Sequence, residues 1–246
     1  MRLSDRAEML IPPLPWDRRA HQASLQNPVG KIVLLHGLGR SWRAMNPLAR
    51  ELQHHGFSTL NLPYPSLIKP VDWILDHADR EIGRFAGDDP VHFVTHSLGG
   101  IITRKLLARD PSWKPGRLVM LAPPSSGSEI IDWASRRPIL KRFLSPAARS
   151  LASDILPSHL PALPPGTEAI VIMGSRCSIP FFKPLLDPAN DGIVSVNRGH
   201  VAGLRGFHVV DADHTFIQLH PEAVRQTIGF LKSGACAAVS GSAPSS

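Results

Sequence analysis

Short apolar runs rich in β-branched residues recur along the chain, and amphipathic segments with three- and four-residue spacing separate most of them. The apolar runs predict buried strands at residues 32–36, 59–63, 91–95, 118–122, 169–173 and 207–210. The amphipathic segments predict helices at residues 47–55, 73–85, 98–109 and 221–232. Strands that alternate with helices predict an α/β fold, in which a mostly parallel central sheet carries helices on both faces. Ligands of such sheets bind outside the carboxyl ends of the strands.

The two ends and one internal segment depart from this alternation. Residues 1–30 are rich in proline and charge, and residues 233–246 are small and polar. We therefore expect an N-terminal arm, one domain over residues 31–232 and a flexible C-terminal tail. Residues 123–165 hold eight prolines and several short helical pieces but no strand candidate. Because this segment follows a strand end, it is either a helical cap or lid over the substrate or a packed surface excursion.

Composition excludes several classes of function. The net charge is +7, but lysine and arginine are spread in ones and twos, so nucleic acid is not an expected partner. Two cysteines, Cys177 and Cys236, do not make a disulfide framework. No apolar run has the length of a signal peptide core or a membrane span, and the expected location is cytoplasmic, with peripheral membrane contact left open. The oligomeric state is not predicted.

Residues 91–100, with the sequence VHFVTHSLGG, carry the strongest chemical signal. An apolar strand runs directly into Ser97, and a helix begins immediately after it. A serine on such a sharp turn is exposed above the sheet edge, and the small residues Gly99 and Gly100 provide the space that the turn requires. The alternative is that Ser97 only caps the helix, since serine is a favoured capping residue.

The string Thr95-His96-Ser97-Leu98-Gly99 resembles the G-x-S-x-G elbow of the α/β-hydrolase family, specifically of its compact bacterial lipase and esterase branch. The resemblance extends over about residues 31–232. Thr95 stands where the family usually has its first glycine, and its β-branched side chain predicts a slightly more strained turn. The resemblance implies that Ser97 is a catalytic nucleophile. No cofactor is expected.

A glycine-rich loop follows the first core strand, in the string Leu35-His36-Gly37-Leu38-Gly39. It lacks both the Walker lysine and the third glycine of a dinucleotide fingerprint, which argues against a phosphate cradle. It is similar to the oxyanion loop of the same family. That similarity implies that the backbone amides of Leu38 and Leu98 stabilise an oxyanion. It also implies that His36 braces the loop, with Gly37 and Gly99 in supporting positions.

A serine nucleophile needs an imidazole to take its proton, and twelve histidines compete for this role. The family carries its catalytic histidine on a loop between the last strand and the terminal helix, and His214 occupies this place. Eight of the others are interpreted as ordinary surface or core histidines: His54, His55, His77, His92, His159, His200, His208 and His220. His92 and His96 lie four residues apart but on a strand and its turn rather than on one helical face, so no metal site is predicted.

The family places its acid after the strand predicted at residues 169–173, often in a pattern similar to Asn190-Asp191-Gly192-Ile193-Val194. Asp191 is therefore the expected acid, and the order Ser97, Asp191, His214 matches that of the fold. Three other carboxylates in this region compete with it: Asp187, Asp211 and Asp213.

The expected activity is hydrolysis of a carboxylic ester, from a small molecule or a lipid, through an acyl-enzyme on Ser97. Two alternatives remain open. A thioesterase or acyltransferase would use the same three residues, and a non-catalytic relative would only bind a ligand or a protein.

Overall fold

The computed structural model describes residues 3–14, 20–156 and 160–235. Its strands are β1 (His21–Ala23), β2 (Gly30–Leu35), β3 (Phe57–Leu62), β4 (Val91–His96), β5 (Pro115–Leu121), β6 (Ala169–Gly174) and β7 (Gly206–Val210). Its α-helices are α1 (Leu3–Leu10), α2 (Asn46–His54), α3 (Val71–Ala86), α4 (Leu98–Leu107), α5 (Glu129–Ser135), α6 (Pro138–Phe143), α7 (Pro146–Arg149) and α8 (Pro221–Ser233). Within the described ranges, none of the helices has the length and hydropathy that a bilayer crossing requires.

All seven strands form one sheet in the order β1-β3-β2-β4-β5-β6-β7. Only β1 runs antiparallel to its neighbour, and every other pairing is parallel. The predicted mostly parallel α/β architecture is confirmed. Strand β4 lies in the middle, where Thr95 pairs with Leu35 of β2 and His96 pairs with Leu121 of β5. The residue after β4 therefore emerges at the centre of the carboxyl edge of the sheet.

Helices cover both faces of the sheet, as predicted. Along β2 the side chains alternate, so that Val33 and Leu35 belong to the core cluster that contains α3 and α4. Ile32 and Leu34 belong to the cluster that contains α2 and α8. All four side chains are fully buried, which explains why the strand reads as a continuous apolar run rather than as an alternating one.

Two elements lie within residues 1–30, which the sequence analysis treated as an arm. Strand β1 extends the sheet beyond β3, and α1 buries Met9. Arg50 of α2 holds α1 through ion pairs of 2.8 Å with Asp5 and 2.9 Å with Glu8. Strand β1 is only three residues long and polar, so it has no hydrophobic periodicity to detect. The tail predicted at residues 233–246 begins inside α8, and its residues 236–246 lie outside the described residues.

The segment 123–165 contains α5, α6 and α7, close to the helical pieces that the sequence predicts. Seven of its buried residues share the core cluster of the sheet: Ile131, Ala147, Ala148, Leu151, Ala152, Leu156 and Leu160. A cap distinct from the body of the domain is therefore not clearly present. The assignment of this segment as a cap or lid stays a prediction, and its residues 157–159 lie outside the described part of the chain.

Helix α4 passes so close to β2 that only glycine fits at position 99. A Cβ atom on Gly99 would lie 2.5 Å from the carbonyl oxygen of Leu35. We expect Gly99→Ala to lower the free energy of unfolding by about 2 kcal/mol, because the backbones must move apart. Gly229→Ala is the matched control, since a Cβ at this position in α8 meets nothing within 4 Å, and it should add about 1 kcal/mol. Urea unfolding measures both, and equal stability of Gly99→Ala and wild type would contradict the close approach.

Candidate active site

Ser97 lies at a strained turn between β4 and α4. Its backbone has φ 52° and ψ −119°, a conformation that costs a residue with a Cβ about 1–3 kcal/mol. The surrounding backbone enforces it, because the Ser97 N–H donates to the carbonyl of Leu121 at 2.9 Å and the Gly100 N–H donates to the carbonyl of Ser97 at 3.0 Å. A strained serine at the carboxyl edge of a parallel sheet has the geometry of a nucleophile elbow.

Thr95 and two glycines surround the elbow. Thr95 is fully buried in β4, and its hydroxyl donates to the carbonyl of Val119 at 3.3 Å. The close approaches occur elsewhere, since a Cβ on Gly37 would lie 3.2 Å from the Cβ of Ser97. Gly99 lies against β2 on the other side. Close approaches at the elbow therefore involve these two glycines.

The imidazole of His214 and the carboxylate of Asp191 form a buried pair. Nδ1 of His214 lies 2.7 Å from Oδ2 of Asp191, and only 1% of Asp191 is exposed. The other carboxylate oxygen, Oδ1, accepts from the N–H groups of Ile193 at 3.0 Å and Val194 at 2.8 Å. Because a carboxylate only accepts hydrogen bonds, the imidazole proton is on Nδ1, and Nε2 is left as a base.

The backbone of His214 is fixed at both ends. Its N–H donates to the carbonyl oxygen of Asp191 at 3.0 Å, and its carbonyl accepts from Nε2 of His96 at 2.9 Å. His96 directly precedes Ser97 in the chain, so this contact joins the elbow to the loop that carries His214. The sequence places His96 in the elbow motif and argues against it as a metal ligand, but no local pattern reveals this contact with the loop of His214.

His96 is held in its neutral form. Burial, and then the nearby His214 and Arg40, lower the pKa of His96 well below its usual value. Its Nδ1 has no hydrogen-bond partner among the residues that the structure describes, so a second proton on the ring would be unsatisfied.

This neutral histidine makes stability depend on pH. The folded-state pKa lies below the unfolded value of about 6.5, so the unfolded chain takes up a proton first as the pH falls. The stability is complete above about pH 6.5 and declines below it, by at most about 1.4 kcal/mol per pH unit from this group. Urea unfolding at several pH values measures the slope. His96→Gln keeps a donor but cannot titrate, so its slope should be smaller by one proton, and equal slopes would contradict the assignment.

The three competing carboxylates are engaged elsewhere. Asp187 accepts from the side chain of Asn197 at 2.5 Å, and Asp211 forms an exposed ion pair with Arg176 at 3.1 Å. Asp213 accepts from the backbone N–H groups of Thr215 and Phe216, which follow it in the chain. Of the four carboxylates considered in the sequence, the structure brings only Asp191 to the ring of His214.

The loop after β2 carries the predicted oxyanion donors. Neither the Leu38 nor the Leu98 amide N–H has an acceptor within the described ranges. Leu38 is partly exposed, whereas Leu98 is fully buried. The side chain of His36 is fully buried. Its Nε2 accepts from the Tyr64 N–H at 3.3 Å, and its Nδ1 donates to the carbonyl of Gly37 at 2.9 Å. The Tyr64 hydroxyl donates to the carbonyl of His36, and the two rings stack at 4.0 Å. These contacts hold the backbone of the loop rigid.

Ser97 and His214 line one cavity of about 270 Å³ at the carboxyl edge of the sheet. Among the described residues, no hydrogen bond joins the Ser97 hydroxyl to the imidazole, although such bonds are often long before substrate binds. The cavity also contains Leu38 of the glycine-rich loop, and its walls are largely aliphatic. A larger cleft of about 610 Å³ lies between α2 and α8, but none of the predicted catalytic residues lines it.

Within the described residues, no three histidine, cysteine, aspartate or glutamate side chains are grouped so that they could hold a metal ion. His92, four residues before His96, accepts from the backbone N–H of Arg117 at 2.8 Å.

The fold is similar to those of several solved hydrolases. The mature form of the Bacillus licheniformis lipase BlEst2 has a TM-score of 0.68 at 19% identity, over 81% of this chain and 92% of that one. The metagenomic carboxyl esterase MGS0156 has a TM-score of 0.61 at 19% identity, over 87% and 74% of the two chains. The type II thioesterase YbtT from the yersiniabactin pathway has a TM-score of 0.58 at 16% identity, over 89% and 99%. At such low identities, these similarities show a shared fold.

No curated protein matches the sequence. The profile of the Alpha/beta hydrolase family matches residues 32–227, which is most of the chain. The predicted family resemblance is thereby confirmed, and the chain belongs to the alpha/beta hydrolase family.

Proposed function

We propose that the protein is a serine hydrolase that cleaves carboxylic esters through an acyl-enzyme on Ser97. In this proposal His214 is the general base, and Asp191 orients its imidazole. The observation that carries the proposal is the 2.7 Å contact between Asp191 and His214, which favours the tautomer with its proton on Nδ1, in the cavity that Ser97 and His214 both line. Burying a carboxylate costs free energy unless it is fully hydrogen-bonded. A histidine with a purely structural role would not need such a partner, so the buried Asp191 favours a catalytic role for His214.

The first half of the reaction forms the acyl-enzyme. Nε2 of His214 takes the proton of the Ser97 hydroxyl as the oxygen attacks the ester carbonyl. The amides of Leu38 and Leu98 stabilise the developing oxyanion, and donors of this kind typically contribute about 3–4 kcal/mol each. The imidazolium then gives its proton to the departing alcohol. In the second half, His214 activates a water molecule, which releases the acid and restores Ser97.

The cavity favours a small ester with an apolar acyl group. Its volume of about 270 Å³ is below the usual range of ligand sites, and its walls include several aliphatic side chains. The lipase and the carboxyl esterase of similar fold agree with an ester substrate. The thioesterase of similar fold supports a second candidate, hydrolysis of an acyl thioester by the same residues.

Covalent labelling and a substrate series test these proposals. A fluorophosphonate probe should label the wild-type protein, and absence of labelling would favour a non-catalytic binding protein. Nitrophenyl esters from acetate to palmitate should turn over fastest in the short to middle range, because the longest chains exceed the cavity. Faster turnover of matched acyl thioesters than of the esters would select the thioesterase instead.

A further inference from the structure

One permanent charge lies in the wall of the cavity described above. Arg40, two residues after Leu38 on the glycine-rich loop, lines it together with Ser97 and His214. None of the other lining residues within the described ranges is a lysine, arginine, aspartate or glutamate. The aliphatic part of the wall comes from the segment 123–165 and from the loop of Asp191, with the residues Ile130, Ile131, Leu151, Ile193 and Val194.

Among the described residues, no negatively charged group neutralises the positive charge of the Arg40 guanidinium. Its Nη2 donates to the carbonyl of Met9 in α1 at 2.6 Å, and among the described residues no carboxylate pairs with it. Arg50, on the neighbouring helix, pairs with two carboxylates of α1. Burial lowers the pKa of Arg40, although an arginine stays protonated under all ordinary conditions. A guanidinium has five N–H donors, and among the described residues the carbonyl of Met9 is the one acceptor recorded for those of Arg40.

An unpaired cation in a half-buried position is unfavourable, and an anionic ligand would relieve this cost. The planar guanidinium matches the two oxygens of a carboxylate. A single cation balances a monovalent carboxylate better than a dianionic phosphate, and the smaller group suits a cavity of about 270 Å³. The charge also acts at the reacting end of the cavity, because Arg40 contributes to the lowered pKa of His96 beside Ser97.

We propose that Arg40 forms an anion subsite, and that the preferred substrate is a small ester that carries a carboxylate. This inference rests on the proposed ester hydrolase function. The competing explanation is that Arg40 only anchors α1 through the carbonyl of Met9.

Two pairs of chromogenic esters test the subsite on either side of the scissile bond. On the acyl side, the 4-nitrophenyl half-ester of adipate is compared with its methyl ester. On the alcohol side, 3-carboxy-4-nitrophenyl butyrate is compared with the methyl ester of its carboxyl group. Wild type should favour the anionic member of at least one pair by about tenfold in kcat/KM, and Arg40→Gln should reduce that ratio to about one.

Arg50→Gln is the matched control, because it removes the two ion pairs that hold α1 but does not touch the cavity. It should keep the wild-type ratio. No anionic preference in wild type, or equal loss of preference in both variants, would overturn the proposal. If Arg40→Gln does not fold, the wild-type preference must fall as sodium chloride is raised, and a preference independent of salt would overturn it.

A binding measurement separates this inference from the proposed function. Calorimetry with Ser97→Ala protein, in which the esters are not turned over, should show tighter binding of the anionic member of one pair. Adding Arg40→Gln to that protein should abolish the difference. This result would support the subsite even if wild type hydrolysed neither ester, whereas equal affinities would reject the subsite even if wild type hydrolysed the neutral ester well.

Discussion

Replacing Ser97 with alanine should lower kcat for 4-nitrophenyl butyrate by about 10⁴-fold or more, since the bond-forming oxygen is removed. The fold should be unaffected. Alanine carries the same Cβ as serine at φ 52°, so the strain of the turn is unchanged. Among the residues that the structure describes, the hydroxyl makes no hydrogen bond whose loss would destabilise the protein. Steady-state kinetics measures the first effect, and urea unfolding should give a free energy within about 0.5 kcal/mol of wild type.

Ser126→Ala provides a control for this substitution. Ser126 follows β5 at the same edge of the sheet but does not line the cavity that contains Ser97. Its variant should keep wild-type kcat. Undiminished activity of purified Ser97→Ala would instead remove Ser97 from the mechanism, and with it the acyl-enzyme.

The parallel core of the fold was predictable because its strands are buried on both faces. Strand β6 is buried along its whole length, and such a strand appears in a sequence as an uninterrupted apolar run. Strand β3 is equally buried, but Ser58, Thr59 and Asn61 interrupt its apolar residues. Strand β1 has no such signal. It exists because β3 offers it a free edge, and pairing of this kind depends on the partner and not on the short sequence His-Gln-Ala.

The contact between Asp191 and His214 joins residues that are 23 positions apart. The motif around Asp191 and the position of His214 before the terminal helix were sufficient to pair them, because the family resemblance supplies the spatial relation that spacing alone does not. The competing aspartates could be set aside only when their own partners were visible. Asp213, for example, accepts from two backbone N–H groups of the turn that follows it.

The roles of His96 and Arg40 could not be predicted from the sequence. His96 belongs to a recognisable motif, but its bond reaches the carbonyl of His214, 118 positions later in the chain. Arg40 is one of many scattered basic residues, and its distinction is that no described carboxylate pairs with it in an otherwise uncharged cavity. Both properties depend on which distant residues are, or are not, brought nearby by the fold.

The role proposed for Asp191 is to orient the imidazole of His214, and an asparagine at this position removes that role. Asn at this position has nearly the same shape, and its side-chain oxygen can still accept from the N–H groups of Ile193 and Val194. Its amide nitrogen, however, would face Nδ1 of His214 in place of Oδ2, and it can donate but not accept. The imidazole would then carry its proton on Nε2, where it cannot take the proton of Ser97.

Asp191→Asn should therefore reduce kcat at neutral pH by about 10⁴-fold, the order expected when the wrong tautomer is enforced. Fluorophosphonate labelling should slow in parallel, because it requires the same activated hydroxyl. Asp211→Asn removes one carboxylate from the same region and so has the same change in charge. Its side chain is 79% exposed in an ion pair with Arg176, and its kcat should stay near that of wild type. If the two variants had similar kcat values, the carboxylate would be a general electrostatic contribution, and the tautomer of His214 would have to be fixed by another group.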